Sequence, residues 1–297
     1  MGRDWLVRLK PLPLALIVLI ALMAVALCRA AFAPGGQGVA ALAVSAAFLL
    51  VACGIANSLF ARAWRAPDNV ASIAVTALIL AFILPPVQSA SAPTLLIPLA
   101  AAVWAAGSKY ILVSGRRHVF NPAAFGAAAA LVICGHGANW WVGADHVLLP
   151  LVVLGGAIIV VKLRSADIVL AFLAGHLGMI AATVSPAHLM LFLTDTLLRS
   201  PMLFFAFLML TDPRTMPLGR GWRLGFGALV GLLCAPSFHL GPLRLAPETA
   251  LLAGNLLALA SKIWRRRQVR RARLSDLTTA AGPGSDAGGP ASVHPAR

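Results

Sequence analysis

Charge is what this chain has least of. Only 11% of its 297 residues are Asp, Glu, Lys or Arg, and nine are acidic, against the about 25% charged residues of an ordinary soluble domain. With 60% apolar residues and a mean hydropathy of +0.89, too little polar surface remains for a water-soluble globule. A separate soluble catalytic domain is thereby excluded. Cysteine is scarce as well: Cys28, Cys53, Cys134 and Cys234 lie in or at the edges of apolar runs, with no CxxC pair and no Cys/His spacing suited to zinc or haem. They read as buried apolar thiols. The chain also lacks a nucleotide-binding fingerprint, so no catalytic or metal-binding residue is assigned. A net charge of +15 would point to nucleic acid in a soluble protein, but no aromatic residue interleaves the arginine run from Arg265 to Arg273. Nucleic acid is not an expected partner.

What the chain has in abundance is apolar runs of the length that crosses about 30 Å of hydrocarbon. Ten are expected, near 12–33, 38–60, 70–88, 93–113, 121–141, 147–163, 167–184, 187–210, 223–240 and 247–264. Of the 24 Lys and Arg, all but Arg29, Arg199 and Arg244 fall in the segments that are cytoplasmic if the N-terminus is cytoplasmic. That distribution predicts a multi-pass protein of a bacterial-type inner membrane with both termini in the cytoplasm. The expected division is a transmembrane domain over 1–264 and a basic, then disordered, cytoplasmic tail over 265–297; its arginines read as a stop signal and as an anchor against anionic lipid. A cleaved leader is the other reading of the first span, because Ala31-Phe32-Ala33 resembles a small-x-small cleavage site.

Ionisable groups at membrane depth cost at least about 2.5 kcal/mol each and therefore draw a functional reading. Asp195 and Arg199 stand four residues apart within the eighth run, where they form an intramembrane charge pair. Two readings stand: a pin between two helices, or a transport or redox role. His176 reads as a packed, hydrogen-bonded residue. Two cytoplasmic loops are more informative. In the first, Asn121 is a good N-cap and Pro122 a good first helical residue, so the fifth helix presents free amides to a loop carrying Lys109, Arg116, Arg117 and His118. Such an end suits a phosphate or carboxylate, and serves equally as an ordinary cap. In the second, Thr211-Asp212-Pro213-Arg214-Thr215 has turn chemistry, with the Asp212 carboxylate placed to fold back on backbone amides.

These segments together carry a resemblance. Ile83-Leu84-Pro85-Pro86, Lys109, Phe120-Asn121-Pro122-Ala123, the run from Phe207 to Thr215, the run Phe226 to Leu232 and Asn255 occur in the order found in one family. The chain resembles the family of the B subunit of the sodium-translocating NADH:quinone oxidoreductase and the D subunit of the Rnf electron-transport complex, from about residue 80 to 264. The resemblance implies an all-α protein of ten helices in two inverted five-helix repeats, with the fold of urea and ammonium transporters. It also implies a flavin- and quinone-linked electron-transport subunit that works with other redox subunits, with ion movement coupled to it. The cofactor-binding positions expected on this reading are Lys109, His118, Asn121, Pro122, Thr211, Asp212, Thr215 and Trp141; His118 departs from the family, standing with Arg116 and Arg117 where a run of glycines is reduced to Gly115. The family's electron carriers esterify FMN to a threonine between the fifth and sixth spans. At that place this chain has Trp140-Trp141-Val142-Gly143-Ala144-Asp145, and Asp145 has no hydroxyl to esterify, so the expected cofactor is non-covalent FMN or riboflavin. Trp140 and Trp141 read either as stacking partners for the flavin ring or as aromatic residues of the membrane interface. The alternatives are a small-solute channel or transporter on the same fold, and a scaffold subunit without activity; whether the chain is any part of an enzyme is left open.

Overall fold

The computed structural model describes residues 9–32, 38–89, 91–115, 117–240 and 243–280. Arg3, Arg8, Arg116 and the tail beyond residue 280, all used in the sequence reading, lie outside the described residues. Helices dominate. They are α1 (Pro11–Phe32), α2 (Val39–Ala63), α3 (Val70–Ile83), α4 (Ala92–Ile111), α5 (Pro122–Cys134), α6 (Leu149–Leu163), α7 (Ala166–Thr183), α8 (Pro186–Leu198), the short α9 (Met202–Phe204) continued by a π-helical turn over Phe205–Met209, α10 (Arg220–Leu233) and α11 (Pro247–Ala280). Two short antiparallel hairpins, β1–β2 (Val113–Ser114 with Arg117–His118) and β3–β4 (His239–Leu240 with Leu243–Arg244), join α4 to α5 and α10 to α11.

All ten expected segments are helical, but they are not ten full-length spans. Among the described residues, four helices are long and apolar enough to cross a membrane: Pro11–Phe32, Val39–Ala63, Thr94–Ile111 and Ala166–Thr183. A fifth exists if the pair Pro186–Leu198 and Met202–Met209, bent by 54°, counts as one span. The shorter helices stop at residues with a local reason to stop. Helix α3 has 14 residues, about 21 Å, and ends before Pro85-Pro86, whose rings cannot continue it. Helix α5 has 13 residues and ends at Gly135 in the left-handed region at φ +70°. The eighth run breaks at Ser200-Pro201, where the missing proline N–H and the Ser200 hydroxyl on the Thr196 carbonyl interrupt the ladder. At the other extreme, α11 continues through the arginine run to Ala280, into the segment that composition assigned to a tail.

Helix α1 packs against α3 and α6, α2 against α3 and α4, α4 against α5, α7 against α10, α10 against α11, and α5 against α11. The closest crossing is α7 on α10: a Cβ on Gly231 would collide with the Phe172 carbonyl, so two backbones touch there. Phe82, Phe172, Phe204, Phe205 and Phe226 fill the centre. Much of the outer surface is apolar, with Val132, Val161 and Met190 all more than three-quarters exposed, as a lipid-facing surface requires.

Candidate functional site

Helix α5 starts as its sequence demands. The Asn121 side chain accepts from the Ala124 N–H at 3.2 Å, and Pro122 occupies the first turn. The same side chain reaches further, with Nδ2 donating to the Met209 carbonyl at 3.3 Å, while the Asn121 N–H donates to Asn255 Oδ1 on α11 at 2.9 Å. One buried asparagine therefore ties together α5, the π-helical turn and α11. The π turn contributes to this, because its wider ladder departs from the regular i to i+4 pattern just where Met209 must face Asn121.

Beyond Met209 the chain turns at Asp212. Its Oδ1 accepts from the Arg214 N–H at 3.0 Å, and its carbonyl accepts from Thr215 and Met216, at 3.1 and 3.0 Å. This Asx turn directs the Arg214 side chain onto His118, to whose Nε2 it donates at 2.9 Å. A guanidinium only donates, so Nε2 holds the lone pair and His118 is neutral. Burial, followed by the charges of Arg214 and Lys109, pushes His118 down to about 4, with the Lys109 carbonyl opposing. Burial raises the Asp212 carboxyl, against the pull of the Arg214 amide and guanidinium.

Cations gather around this turn without carboxylate ion-pair partners among the described residues. Lys109 Nζ donates to the Ser72 carbonyl at 3.2 Å, Lys262 Nζ to the Arg214 carbonyl at 3.3 Å, and Arg117 to the Pro213 carbonyl at 3.5 Å. Two connected hollows open here. A small one of about 130 Å³ lies over Asn121, Pro122, Thr211 and Asp212, between α1, α3 and the π turn. A wider cleft of about 750 Å³ is lined by Asp68, Lys109, Arg117, His118 and Arg214 and shares Ser72, His118, Pro213 and Arg214 with the first. Asn255 Nδ2 and His118 Nδ1 make no hydrogen bond of normal geometry among the described residues; His118 lines both hollows, whereas Asn255 lines neither. With three cations against one carboxylate, the cleft suits an anion.

Six of the eight expected cofactor positions line these hollows, Lys109, His118, Asn121, Pro122, Thr211 and Asp212; Thr215 lines neither and is bonded behind Asp212. The threonines serve the backbone, Thr211 Oγ1 donating to the Phe207 carbonyl and Thr215 Oγ1 to that of Asp212. Trp141 does not join them. Its indole donates to the Ala81 carbonyl at 2.8 Å and its ring lies 5.3 Å from Phe82, in the loop after the opposite end of α5. Trp140 is buried beside it, with Nε1 donating to Glu248 at 3.0 Å, so both indoles are packed within the protein. Asp145 pairs with Arg29 and accepts from the Val147 N–H, which fixes this loop. Asp195 and Arg199 are 3.8 Å apart and 59% and 67% exposed, so they pin no second helix. His176 is packed, its Nδ1 3.2 Å from the Gly231 carbonyl.

Sequence reasoning missed Arg214, Lys262, Ser72 and the central place of Asn255. Arg214 lay inside a motif already singled out, and Asn255 is a polar residue amid apolar neighbours; both signals were legible. Ser72 offers only a carbonyl and leaves no signal. Comparison of the chain with protein-family profiles and with curated proteins finds no match.

Proposed function

We propose that this chain is a membrane subunit of a flavin- or quinone-linked electron-transport complex, resembling the B and D subunits named above and working without covalent FMN. The observation that carries the reading is the meeting of its two distinctive segments: Asn121 of the first holds Met209, just before the Thr211-to-Thr215 turn of the second, beside a cation-lined cleft. Two further features support it. Helix α1 packs on α6 and α5 on α11, while α1–α3 and α2–α4 have counterparts in α6 with the π turn and α7–α10; two inverted five-helix repeats require such pairings. Two half-length helices with a buried end, α3 ending at Ile83 and α5 starting at Asn121, are likewise what that architecture uses around a central site.

The cleft of about 750 Å³ lies within the about 300 to 1,000 Å³ of small-molecule sites, whereas the about 130 Å³ hollow is too small for a tricyclic ring. Lys109, Arg117 and Arg214 would hold a phosphate or an anionic ring edge, beside the neutral His118. A bound flavin supplies electron storage; the protein supplies charge, shape and exclusion of water. Asp145 leaves no route to the ester link, because a carboxylate cannot make the bond that a hydroxyl makes. Partner redox subunits, a quinone and the plasma-membrane setting belong to the same proposal. The small hollow alone favours the second reading, a passage for a small solute. The deciding test is the absorbance spectrum of purified protein before and after acid precipitation. A yellow chromophore released by acid supports the flavin reading; a colourless preparation overturns it and favours the solute passage.

A further inference from the structure

Helix α11 carries its arginines in an ordered arrangement. Lys262, Arg266, Arg270 and Arg273 stand at spacings of four, four and three, on one helical face, and with Arg265 they line a groove whose opposite wall is Arg117 of the β1–β2 hairpin. The groove has a volume of about 540 Å³, and no acidic residue lines it. None of these six cations pairs with a carboxylate among the described residues. The hairpin is shaped to sit against the helix: Gly115 turns at φ +66°, and the Arg266 guanidinium lies 2.8 Å from where a Cβ on that glycine would be. A side chain there would carry backbone strain and would push the Arg266 guanidinium aside.

Stacking like charges every turn is unfavourable, and a second basic wall adds to it. An arginine run that served only to mark the cytoplasmic side would have no reason to face a groove. We propose that this groove is a binding site for an anion bearing two or more phosphate groups. From Lys262 to Arg273 the cations extend over about 16 Å of helix, room for two phosphates each held between neighbouring guanidinium groups. The same chemistry is offered by a diphosphate lipid headgroup and by a soluble polyphosphate. The groove shares Arg117 with the cleft proposed for flavin, but its other five cations do not line that cleft, and the groove pair tests it independently of flavin.

The test uses the full chain in nanodiscs. One arm titrates inorganic pyrophosphate onto protein in phosphatidylcholine discs; the other measures cardiolipin retained by protein taken from mixed phosphatidylcholine–cardiolipin discs. Three variants are compared: Arg266→Gln/Arg270→Gln in the groove, Arg117→Gln on the opposite wall, and Arg267→Gln/Arg271→Gln, which removes the same charge outside the groove. The expected result is at least about a tenfold loss for the groove pair, a smaller loss for Arg117→Gln, and less than about a threefold change for the control. Pyrophosphate binding assigns a soluble ligand, and cardiolipin retention alone assigns a lipid. Equal losses in groove and control variants, or a wild-type chain that binds neither probe, would overturn the proposal. Should the groove pair fail to yield folded protein, the single change on the hairpin carries the comparison with the control.

Discussion

At the scale of single residues, Asn121 does what few side chains do, capping its own helix while holding a carbonyl on another. Asn69 offers the natural comparison, because it caps α3 through the Ser72 N–H at 3.0 Å but is exposed and holds nothing else. Loss of an exposed cap costs about 0.5 to 2 kcal/mol, and stranding a buried carbonyl adds about 1 to 3. Asn121→Ala should therefore lower the melting temperature in detergent more than Asn69→Ala does; equal shifts would reduce Asn121 to an ordinary cap. His118 gives a prediction in pH. Its folded value near 4 lies below the 6.5 of a free imidazole, so between those values the unfolded chain binds a proton that the folded chain refuses. The stability of the fold is complete above about pH 6.5 and falls as the pH drops toward 4. His118→Gln should flatten the melting profile in that window, and a profile as steep as that of wild type would show the ring to be exposed.

Among elements, the crossing of α7 on α10 has the strictest geometry. Gly231 and Gly225 lie on the same helix, yet a Cβ at 231 meets the Phe172 backbone while one at 225 meets nothing within 4 Å. Gly231→Ala should destabilise by about 1 to 3 kcal/mol, and Gly225→Ala should be neutral or stabilise by about 0.4 to 1. Urea-induced loss of helicity in micelles would measure both, and similar values would mean that the helices do not touch there. The same elements explain what could be read in advance. The cap at Asn121-Pro122 and the turn at Asp212 are local chemistry, determined by residues within three positions, and both formed as expected. Helix ends were misjudged wherever hydropathy was followed across a stop: Pro85-Pro86, Gly135 and Pro201 are all visible in the sequence, but an apolar window counts through them. The contacts of Asn121 with Met209 and Asn255, and of Lys109 with Ser72, join positions far apart in the chain, and no local pattern encodes them. Trp141 was grouped with the site by resemblance alone, and its buried indole is held by the Ala81 carbonyl instead.

For the whole molecule, the cation distribution predicts sidedness. Reporters fused after Arg65, Arg117, Arg164 and Arg220 should score cytoplasmic, and those after Asp145 and Arg244 external. An external score at Arg117 would separate the two motif loops from the basic face and dismantle the cleft as a cytoplasmic site. It would also move the Arg117 wall of the groove away from the cytoplasm, together with α11.

The account rests on the cleft at Lys109, His118 and Arg214 being the place where a flavin is held. The direct measurement is acid-released flavin per chain in the wild type, Arg214→Gln and Trp141→Phe, all purified in one detergent. A stoichiometric yellow chromophore in the wild type and in Trp141→Phe, lost in Arg214→Gln, is the predicted result. Flavin retained by Arg214→Gln and lost from Trp141→Phe would place it at the loop beyond α5 and contradict the account.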